Sequence, residues 1–273
     1  MRFFDQLRRG ERAVTLEITP PRKRLDEVLL RRARLLGERA DAVNVIQRSG
    51  RLSSLDASMS LLEAGLEPVW HLVTRGRTRA EVEAEIASAA GAGLPAALCV
   101  RGDHSARDRP DTPKLRDAIA QVHAAMPGAC IGATVNQYGP RERVLRNLWL
   151  KLEAGASFVQ TQPVLDVGAL APLVEAIRRE FPATFVVPMV MPLASREHAE
   201  RIAERLGIPL PPGQLGRLDA EGPLAGWTVF EDTVRSLRAE GLADGLALMT
   251  PQMDPPPEAA DRIAGVLARQ ISI

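Results

Sequence analysis

The chain has few aromatic residues and almost no cysteine. The first shortage restricts which side chains can fill its core, and the second restricts the metal sites it can form. Aromatic side chains make up 4% of its 273 residues, so leucine, valine, isoleucine and alanine must fill the core that a hydrophobic content of 45% allows. The only cysteines, Cys99 and Cys130, lie within apolar segments and are interpreted as buried reduced thiols. No Cys-x-x-Cys pair or Cys/His cluster occurs, so no metal site is predicted.

Excess charge and long apolar runs are absent as well. Lys and Arg number 35 against 34 Asp and Glu, a balance that gives no support to nucleic acid or an anionic membrane as a partner. No run reaches the roughly 18 apolar residues that a membrane helix needs. The first residues, MRFFDQLRRGERAV, have no apolar signal-peptide core. We therefore expect a cytoplasmic protein. The sequence does not decide between a monomer and a homo-oligomer.

Short apolar segments alternate with amphipathic stretches along the whole chain. The apolar segments are typical of buried parallel strands, and the longer stretches with a period near 3.6 are typical of helices. Strands are predicted at 13–18, 41–46, 68–74, 96–102, 130–135, 157–162, 184–190 and 244–250. Helices are predicted at 25–40, 54–65, 79–93, 112–126 (with Thr112 as N-cap and Pro113 in the first helical position), 141–155, 167–181, 195–207, 225–241 and 255–270.

Eight β-then-α units with short connections favour a closed (β/α)8 TIM barrel, with residues 1–273 as one domain and an extra C-terminal helix. No Gly-x-Gly-x-x-Gly follows the first strand, which argues against the commonest dinucleotide-binding fold. Residues 208–224 are rich in proline and glycine and are predicted to form an irregular loop, interpreted as a lid beside the active-site face.

Polar side chains occur where the predicted strands end, which is where catalytic groups stand in this fold. They are Glu17, Asn44, His71, Thr74, Arg101 and Asp103 (separated by Gly102), Asn136, Gln137, Gln160, Thr161 and Gln162. Each has a structural alternative: Glu17 pairing with a buried arginine, His71 as a hydrogen-bonded core residue, Arg101–Asp103 as a turn, and Asn44 or Gln162 capping a strand. Their convergence on one rim above an apolar barrel favours a binding site.

Four segments resemble, in order and spacing, those of methylenetetrahydrofolate reductases. They are VTLEITPPRK (14–23), LCVRGDHS (98–105), LKLEAGASFVQTQPVLD (150–166) and VPMVMPLAS (187–195). The resemblance implies a barrel that holds FAD and uses NADH or NADPH to reduce a small-molecule folate, 5,10-methylenetetrahydrofolate, to 5-methyltetrahydrofolate. It implies Glu17 as general acid, Asp103 as a catalytic and substrate-binding carboxylate, and Gln162 as a substrate-binding amide. Flavin-contacting positions match Asn44, His71, Arg101, Gly102, Asn147 and Lys151.

The implied chemistry suits these residue types. The substrate's five-membered ring must open to an iminium before it accepts hydride, which requires a proton on the departing nitrogen. Glu17, between Leu16 and Ile18, is placed for desolvation, which raises the pKa of a carboxyl group. A carboxylate such as Asp103 accepts paired N–H groups of the pterin, and Arg101 and Lys151 offset phosphate charge.

The flavin positions depart from the family pattern. Asn44 stands where the family usually has threonine, and residues 135, 139, 144 and 150 replace a tyrosine, a histidine, an aspartate and an arginine. An aromatic residue after strand seven is replaced by Arg196. Three alternatives to the flavin reductase stay open: direct hydride transfer from nicotinamide, a folate-binding accessory subunit without activity, and an unrelated barrel lyase or aldolase. A barrel aldolase needs a lysine that forms a Schiff base, and none of the predicted strands contains a lysine.

Overall fold

The computed structural model describes residues 2–11, 13–102 and 107–269. Its eight strands are all parallel and close into a barrel in sequence order, with β1 paired to both β2 and β8. The strands are β1 (Ala13–Ile18), β2 (Ala42–Val45), β3 (Pro68–Val73), β4 (Ala96–Val100), β5 (Cys130–Val135), β6 (Phe158–Pro163), β7 (Phe185–Val190) and β8 (Gly245–Met249). Each overlaps one predicted segment, so the predicted (β/α)8 barrel is confirmed.

Helices follow the strands as predicted, with two additions. They are α1 (Arg2–Arg8), α2 (Asp26–Ala33), α3 (Ser54–Glu63), α4 (Arg79–Gly91), α5 (Leu115–Ala125), α6 (Arg141–Glu153), α7 (Val167–Glu180), α8 (Arg196–Leu206), α9 (Pro212–Glu221), α10 (Pro223–Ala239) and α11 (Pro257–Arg269). Neither α1 nor α9 was predicted, and the predicted helix 25–40 breaks after Ala33 into a short 3₁₀ turn at Gly37–Arg39. None of the helices in the described ranges is long and apolar enough to cross a membrane.

The prediction that 208–224 is an irregular loop is wrong, because most of it forms α9. Pro212 occupies the first turn of this helix, where a missing backbone N–H costs nothing. Leu218 is buried against Leu165 and Leu193, which follow β6 and β7. Tertiary burial therefore outweighs the high glycine and proline content of the segment.

The predicted N-cap at Thr112 is also wrong, since α5 begins at Leu115 after Lys114. The Thr112 hydroxyl instead accepts a hydrogen bond from the Arg109 backbone N–H (2.8 Å) and donates one to the Arg77 carbonyl oxygen (2.8 Å). The hydroxyl thus stabilises the loop that precedes α5 and is not available to the helix terminus.

The N-terminal end of the barrel is closed by α1. Phe3 and Phe4 are buried, and the Phe4 ring packs edge-on against Phe158 of β6 with centroids 5.2 Å apart. Phe158 points into the barrel opposite Gly132 of β5, where an added Cβ would lie 2.2 Å from the ring. The interior at this end is therefore a packed apolar core, and the opposite end is left for a site.

The helix that covers β7 is α10, which contacts both β7 and α7. The preceding pair, α8 and α9, is an insertion between β7 and its covering helix. Arg196 of α8 pairs with Asp219 of α9, and Ile202 of α8 joins the apolar cluster formed by residues that follow β6 and β7. The insertion consequently lies against the C-terminal ends of the strands.

Candidate active site

Glu17 lies near the C-terminal end of β1, in register with Asn44 of β2 and Met249 of β8. It lines a cavity of about 710 Å³ at the C-terminal end of the barrel, together with Met249 and with Ile202 and Arg205 of α8. A cavity of this size accommodates a cofactor-sized molecule. The structure therefore places the predicted acid in a concave site between the barrel and the α8–α9 insertion.

Burial raises the pKa of Glu17 to about 7, and the positive charge of Arg205 partly opposes that rise. Within the described part of the chain, the Glu17 carboxyl has no hydrogen bond and no ion pair within 4.0 Å. Its environment does not match the structural alternative, which requires a buried arginine as partner. A carboxyl group that titrates near neutrality is suited to general acid catalysis.

Arg205 belongs to a polar face of α8 that the sequence interpretation did not connect with the site. His198, Arg201 and Arg205 are spaced by three and four residues, and all three line the cavity. The helix is fixed at its start by Ser195, whose hydroxyl accepts from the His198 backbone N–H (3.1 Å). The spacing was visible in the sequence, but 195–207 was predicted only as one of the helices that alternate with the strands.

A polar layer crosses the barrel interior below this end. The Asn44 side-chain amide donates to the side-chain oxygen Oε1 of Gln160 across the barrel (2.8 Å) and to the Thr15 hydroxyl (3.2 Å). Asn44 is 1% exposed, and its side-chain oxygen has no partner among the described residues. Asn44, predicted as a flavin-contacting residue, is thus buried inside the barrel, and its donor groups are used within the protein.

His71 points into the barrel from β3, with Val69 on the same face. Burial lowers the pKa of His71 to about 3, so its imidazole is neutral at physiological pH. Its Nε2 atom is buried and lacks a hydrogen-bond partner in the described structure, as does the hydroxyl of Thr74. Buried polar atoms without partners are costly, so these two groups are open to a polar ligand or to water.

The Gln162 backbone is held by the side chain of Gln137. The Gln162 N–H donates to the Gln137 side-chain oxygen (3.1 Å), and its carbonyl accepts from the Gln137 amide (3.0 Å). No hydrogen bond engages the Gln162 side-chain amide within the described ranges, and the residue is partly exposed at the end of β6. The predicted substrate amide is therefore free to bind, and its role stays a prediction.

Arg101 and Gly102 follow β4. The Arg101 guanidinium pairs with Asp108, and Gly102 has φ +97°, with an added Cβ only 2.5 Å from a Val73 methyl group. Gly102 is thus required by local packing as well as by its backbone conformation. Asp103, predicted to bind the pterin, lies outside the described residues, and its role stays a prediction.

The two predicted flavin positions on α6 lie away from the cavity that contains Glu17. Lys151 donates to the Thr134 carbonyl oxygen of β5 (2.6 Å), and burial lowers its pKa to about 8. Asn147, one turn earlier, is exposed. Neither residue lines the 710 Å³ cavity, so the predicted site residues do not form one continuous group around Glu17.

Removal of the Arg205 charge is expected to raise the pKa of Glu17 above 7 by a fraction of a unit. The positive charge favours the ionised carboxylate, so Arg205→Ala leaves burial unopposed, whereas Arg205→Lys preserves the effect. NMR titration of the Glu17 carboxyl, assigned by comparison with Glu17→Gln, measures the change. An identical pKa in wild type and Arg205→Ala would show that Arg205 does not act on this carboxyl.

Comparison with known proteins agrees with the barrel and its motifs. The profile of the methylenetetrahydrofolate reductase family matches residues 2–253. The structure is similar to that of an uncharacterized protein from Clostridium thermocellum that binds two copies of 5-methyl-5,6,7,8-tetrahydrofolic acid, with a TM-score of 0.69 and 14% identity over 99% of this chain and 100% of that one. Tryptophan synthase from Mycobacterium tuberculosis is similar with a TM-score of 0.56 and 15% identity over 99% and 97% of the chains.

No curated protein matches the chain. The two structural similarities, at 14% and 15% identity, show the barrel fold alone. The family profile goes further, because it covers all eight strands and the predicted motifs. The chain therefore belongs to the methylenetetrahydrofolate reductase family.

Proposed function

We propose that the protein reduces 5,10-methylenetetrahydrofolate to 5-methyltetrahydrofolate, with Glu17 as the general acid. The observation that carries this proposal is a carboxyl group without a partner among the described residues, at a strand's C-terminal end in a 710 Å³ cavity, with a pKa of about 7. Family membership supports the substrate class. The similar Clostridium thermocellum protein, which binds 5-methyl-5,6,7,8-tetrahydrofolic acid, supports a folate ligand on this fold.

The proposed reaction places the Glu17 proton on N10 of the folate. Protonation breaks the bond between N10 and the bridging carbon and leaves an iminium between N5 and that carbon. Hydride then adds to the carbon, which becomes the N5-methyl group, and solvent returns a proton to Glu17. Because the acid must be protonated in the resting enzyme, a carboxyl pKa near 7 suits it better than an ordinary value near 4.5.

FAD, the cofactor that the sequence resemblance implies, fits poorly to the residues present. The Arg101 guanidinium, which would face a phosphate of the cofactor, is paired with Asp108. The Lys151 ammonium, the second predicted phosphate partner, donates a hydrogen bond to the Thr134 backbone carbonyl. The Asn44 amide donates its hydrogen bonds to Thr15 and Gln160 inside the barrel, and Asn147 is exposed on α6. These interactions support the flavin-independent alternative, in which reduced nicotinamide gives its hydride directly to the iminium carbon and becomes the oxidised dinucleotide.

Purified protein is expected to show no flavin bands between 300 and 550 nm and to catalyse the reduction without added FAD. The test combines the protein, methylenetetrahydrofolate and NADH or NADPH deuterated at the transferred position of C4. Direct transfer puts the deuterium into the methyl group quantitatively, as mass spectrometry of the product reports. The same reaction in deuterated water with unlabelled dinucleotide should give an unlabelled methyl group.

The opposite results identify the alternatives. Flavin bands with FAD released on heating, or methyl label that comes from solvent, would establish the flavin route, because a flavin hydride exchanges with water. Absence of turnover with every donor, together with retained folate binding, would favour the accessory folate-binding protein. NADH and NADPH are compared in the same assay, because the described residues contain no feature that selects one of them.

A further inference from the structure

The side-chain amide of Asn44 is held in one orientation inside the barrel. Its nitrogen donates to Oε1 of Gln160 on the opposite side (2.8 Å) and to the Thr15 hydroxyl (3.2 Å). Gln160 and Thr15 are both buried, and together they take the two hydrogens of the amide nitrogen. A half-turn of the amide would bring its oxygen against the Gln160 oxygen, so these two acceptors fix the amide as it stands.

The oxygen of the same amide is left without a partner. Asn44 Oδ1 is buried and accepts no hydrogen bond from the described residues. His71 Nε2, on the neighbouring strand β3, is also without a partner, so these two atoms do not bond to each other. Because a buried acceptor without a donor is costly, we expect a group that lies beside this oxygen and carries a hydrogen to bond to it.

Glu17 is the group that the barrel brings beside Asn44. The pairing of β1 with β2 puts Glu17 in register with Asn44, and Thr15 in register with Ala42. Neighbouring strands lie about 4.8 Å apart, and residues in register have their side chains on the same face. Asn44 thus lies between Thr15, which takes its nitrogen, and Glu17, whose carboxyl has one O–H donor when it is protonated.

The charges around Glu17 do not provide this carboxyl with another partner. The other charged and titratable side chains that line its cavity are Arg32, Arg48, His198, Arg201, Glu204 and Arg205. Arg205 acts on the pKa of Glu17 by favouring the carboxylate, and it forms no ion pair with Glu17 within 4.0 Å. On the barrel wall, His71 is neutral, because burial lowers its pKa to about 3. The Asn44 oxygen and burial are therefore the two features that favour the neutral acid.

We infer that Asn44 is a positioning residue that holds the proton of Glu17, because its side-chain oxygen accepts a hydrogen bond from the neutral carboxyl group. The inference deepens the proposed function, since this proton is the one that Glu17 gives to N10. The oxygen presents only lone pairs, so it stabilises the acid before the transfer and repels the carboxylate after it. The repulsion favours the return of a proton from solvent, which prepares the site for the next turnover.

Infrared difference spectra test this hydrogen bond without turnover. The spectrum of wild type minus that of Glu17→Gln, at about pH 5 where Glu17 is protonated, isolates the C=O stretch of the Glu17 acid. A carboxylic acid that donates a hydrogen bond absorbs at lower frequency than a free one. Asn44→Leu preserves the size of the side chain and removes the acceptor, so we expect the Glu17 band to move to higher frequency in this variant, measured against Asn44→Leu/Glu17→Gln.

Thr15→Val/Gln160→Met, called the release variant below, removes the two acceptors that fix the amide. The amide then turns and donates an N–H to the Glu17 carboxylate, which stabilises the ionised form. We expect NMR titration to give a Glu17 pKa lower by about one unit, and the alkaline limb of the kcat profile to move to lower pH by the same amount. The control Thr233→Val/Gln121→Met removes one hydroxyl of α10 and one amide of α5, and it should leave both values unchanged.

An infrared band of Glu17 at the same frequency in wild type and Asn44→Leu would overturn the inference. So would a folded release variant in which the Glu17 pKa is unchanged or higher, because the amide oxygen would then not face the carboxyl group. Circular dichroism confirms folding of each variant. If the band and the pKa respond as expected but Glu17→Gln keeps its turnover, the hydrogen bond stands and the proposed reaction is rejected, so the two failures are distinguishable.

Discussion

Glu17→Gln is expected to lower the turnover number by about 10²- to 10⁴-fold, while affinity for the folate stays within a few fold. Glutamine preserves the size and polarity of the side chain but has no acidic proton to give to N10. The substrate ring then stays closed and no iminium forms for the hydride donor to reduce. Steady-state rates with saturating donor and equilibrium titration of 5-methyltetrahydrofolate measure the two quantities separately.

The pH dependence of stability provides the folding control for this variant. A folded-state pKa of about 7 against an ordinary 4.5 means that the folded protein favours protonated Glu17. The contribution of protonated Glu17 to the free energy of unfolding is therefore fully present below about pH 4.5 and is lost as pH rises through 7. Glu17→Gln should match wild type near pH 4 and exceed its free energy of unfolding by about 1 to 3 kcal/mol at pH 9. Near-normal turnover in a folded Glu17→Gln variant would remove Glu17 from the proposed mechanism.

Gly226→Ala is expected to reduce the free energy of unfolding by about 2 to 4 kcal/mol. Gly226 is buried in α10, and an added Cβ would lie 1.7 Å from the carbonyl oxygen of Leu193, which leads from β7 into the α8–α9 insertion. Because the obstacle is backbone, no side-chain rotation relieves the clash. The helix or the start of the insertion must move, and denaturant unfolding reports the loss.

Gly216→Ala is the matched control, since Gly216 lies in the adjacent helix α9 and an added Cβ meets nothing within 4 Å. Alanine has the higher helix propensity, so this variant should gain about 0.5 to 1 kcal/mol. Equal stability of the two variants would mean that α10 adjusts to the methyl group without cost. A reduced Glu17 pKa in Gly226→Ala would further indicate that the displaced insertion admits water to the cavity.

The barrel was predictable because its signals are local. Short apolar runs such as 130–135, separated by periodic stretches, determine strands and helices in an order that only a few folds accept. Glu17 was predictable for a similar reason, since a lone carboxylate within an apolar strand is costly without a function or a partner. The family motifs then gave that carboxylate a role.

The α8–α9 insertion was not predictable from these patterns. His198, Arg201 and Arg205 give α8 the same amphipathic periodicity as an outer helix, and periodicity does not report which surface a helix covers. Similarly, Arg101 and Lys151 match the family pattern in sequence, but their partners Asp108 and Thr134 emerge only in the folded chain.

The packing of α1 against the N-terminal end of the barrel has a consequence for the order of events during synthesis. The ribosome makes Phe3 and Phe4 more than 150 residues before Phe158, the ring against which they pack. Until β6 emerges, these two aromatic side chains have no finished surface to cover them. A nascent chain stalled before residue 158 would therefore expose α1 to chaperones and proteases, and α1 would become protected only after β6 has left the exit tunnel.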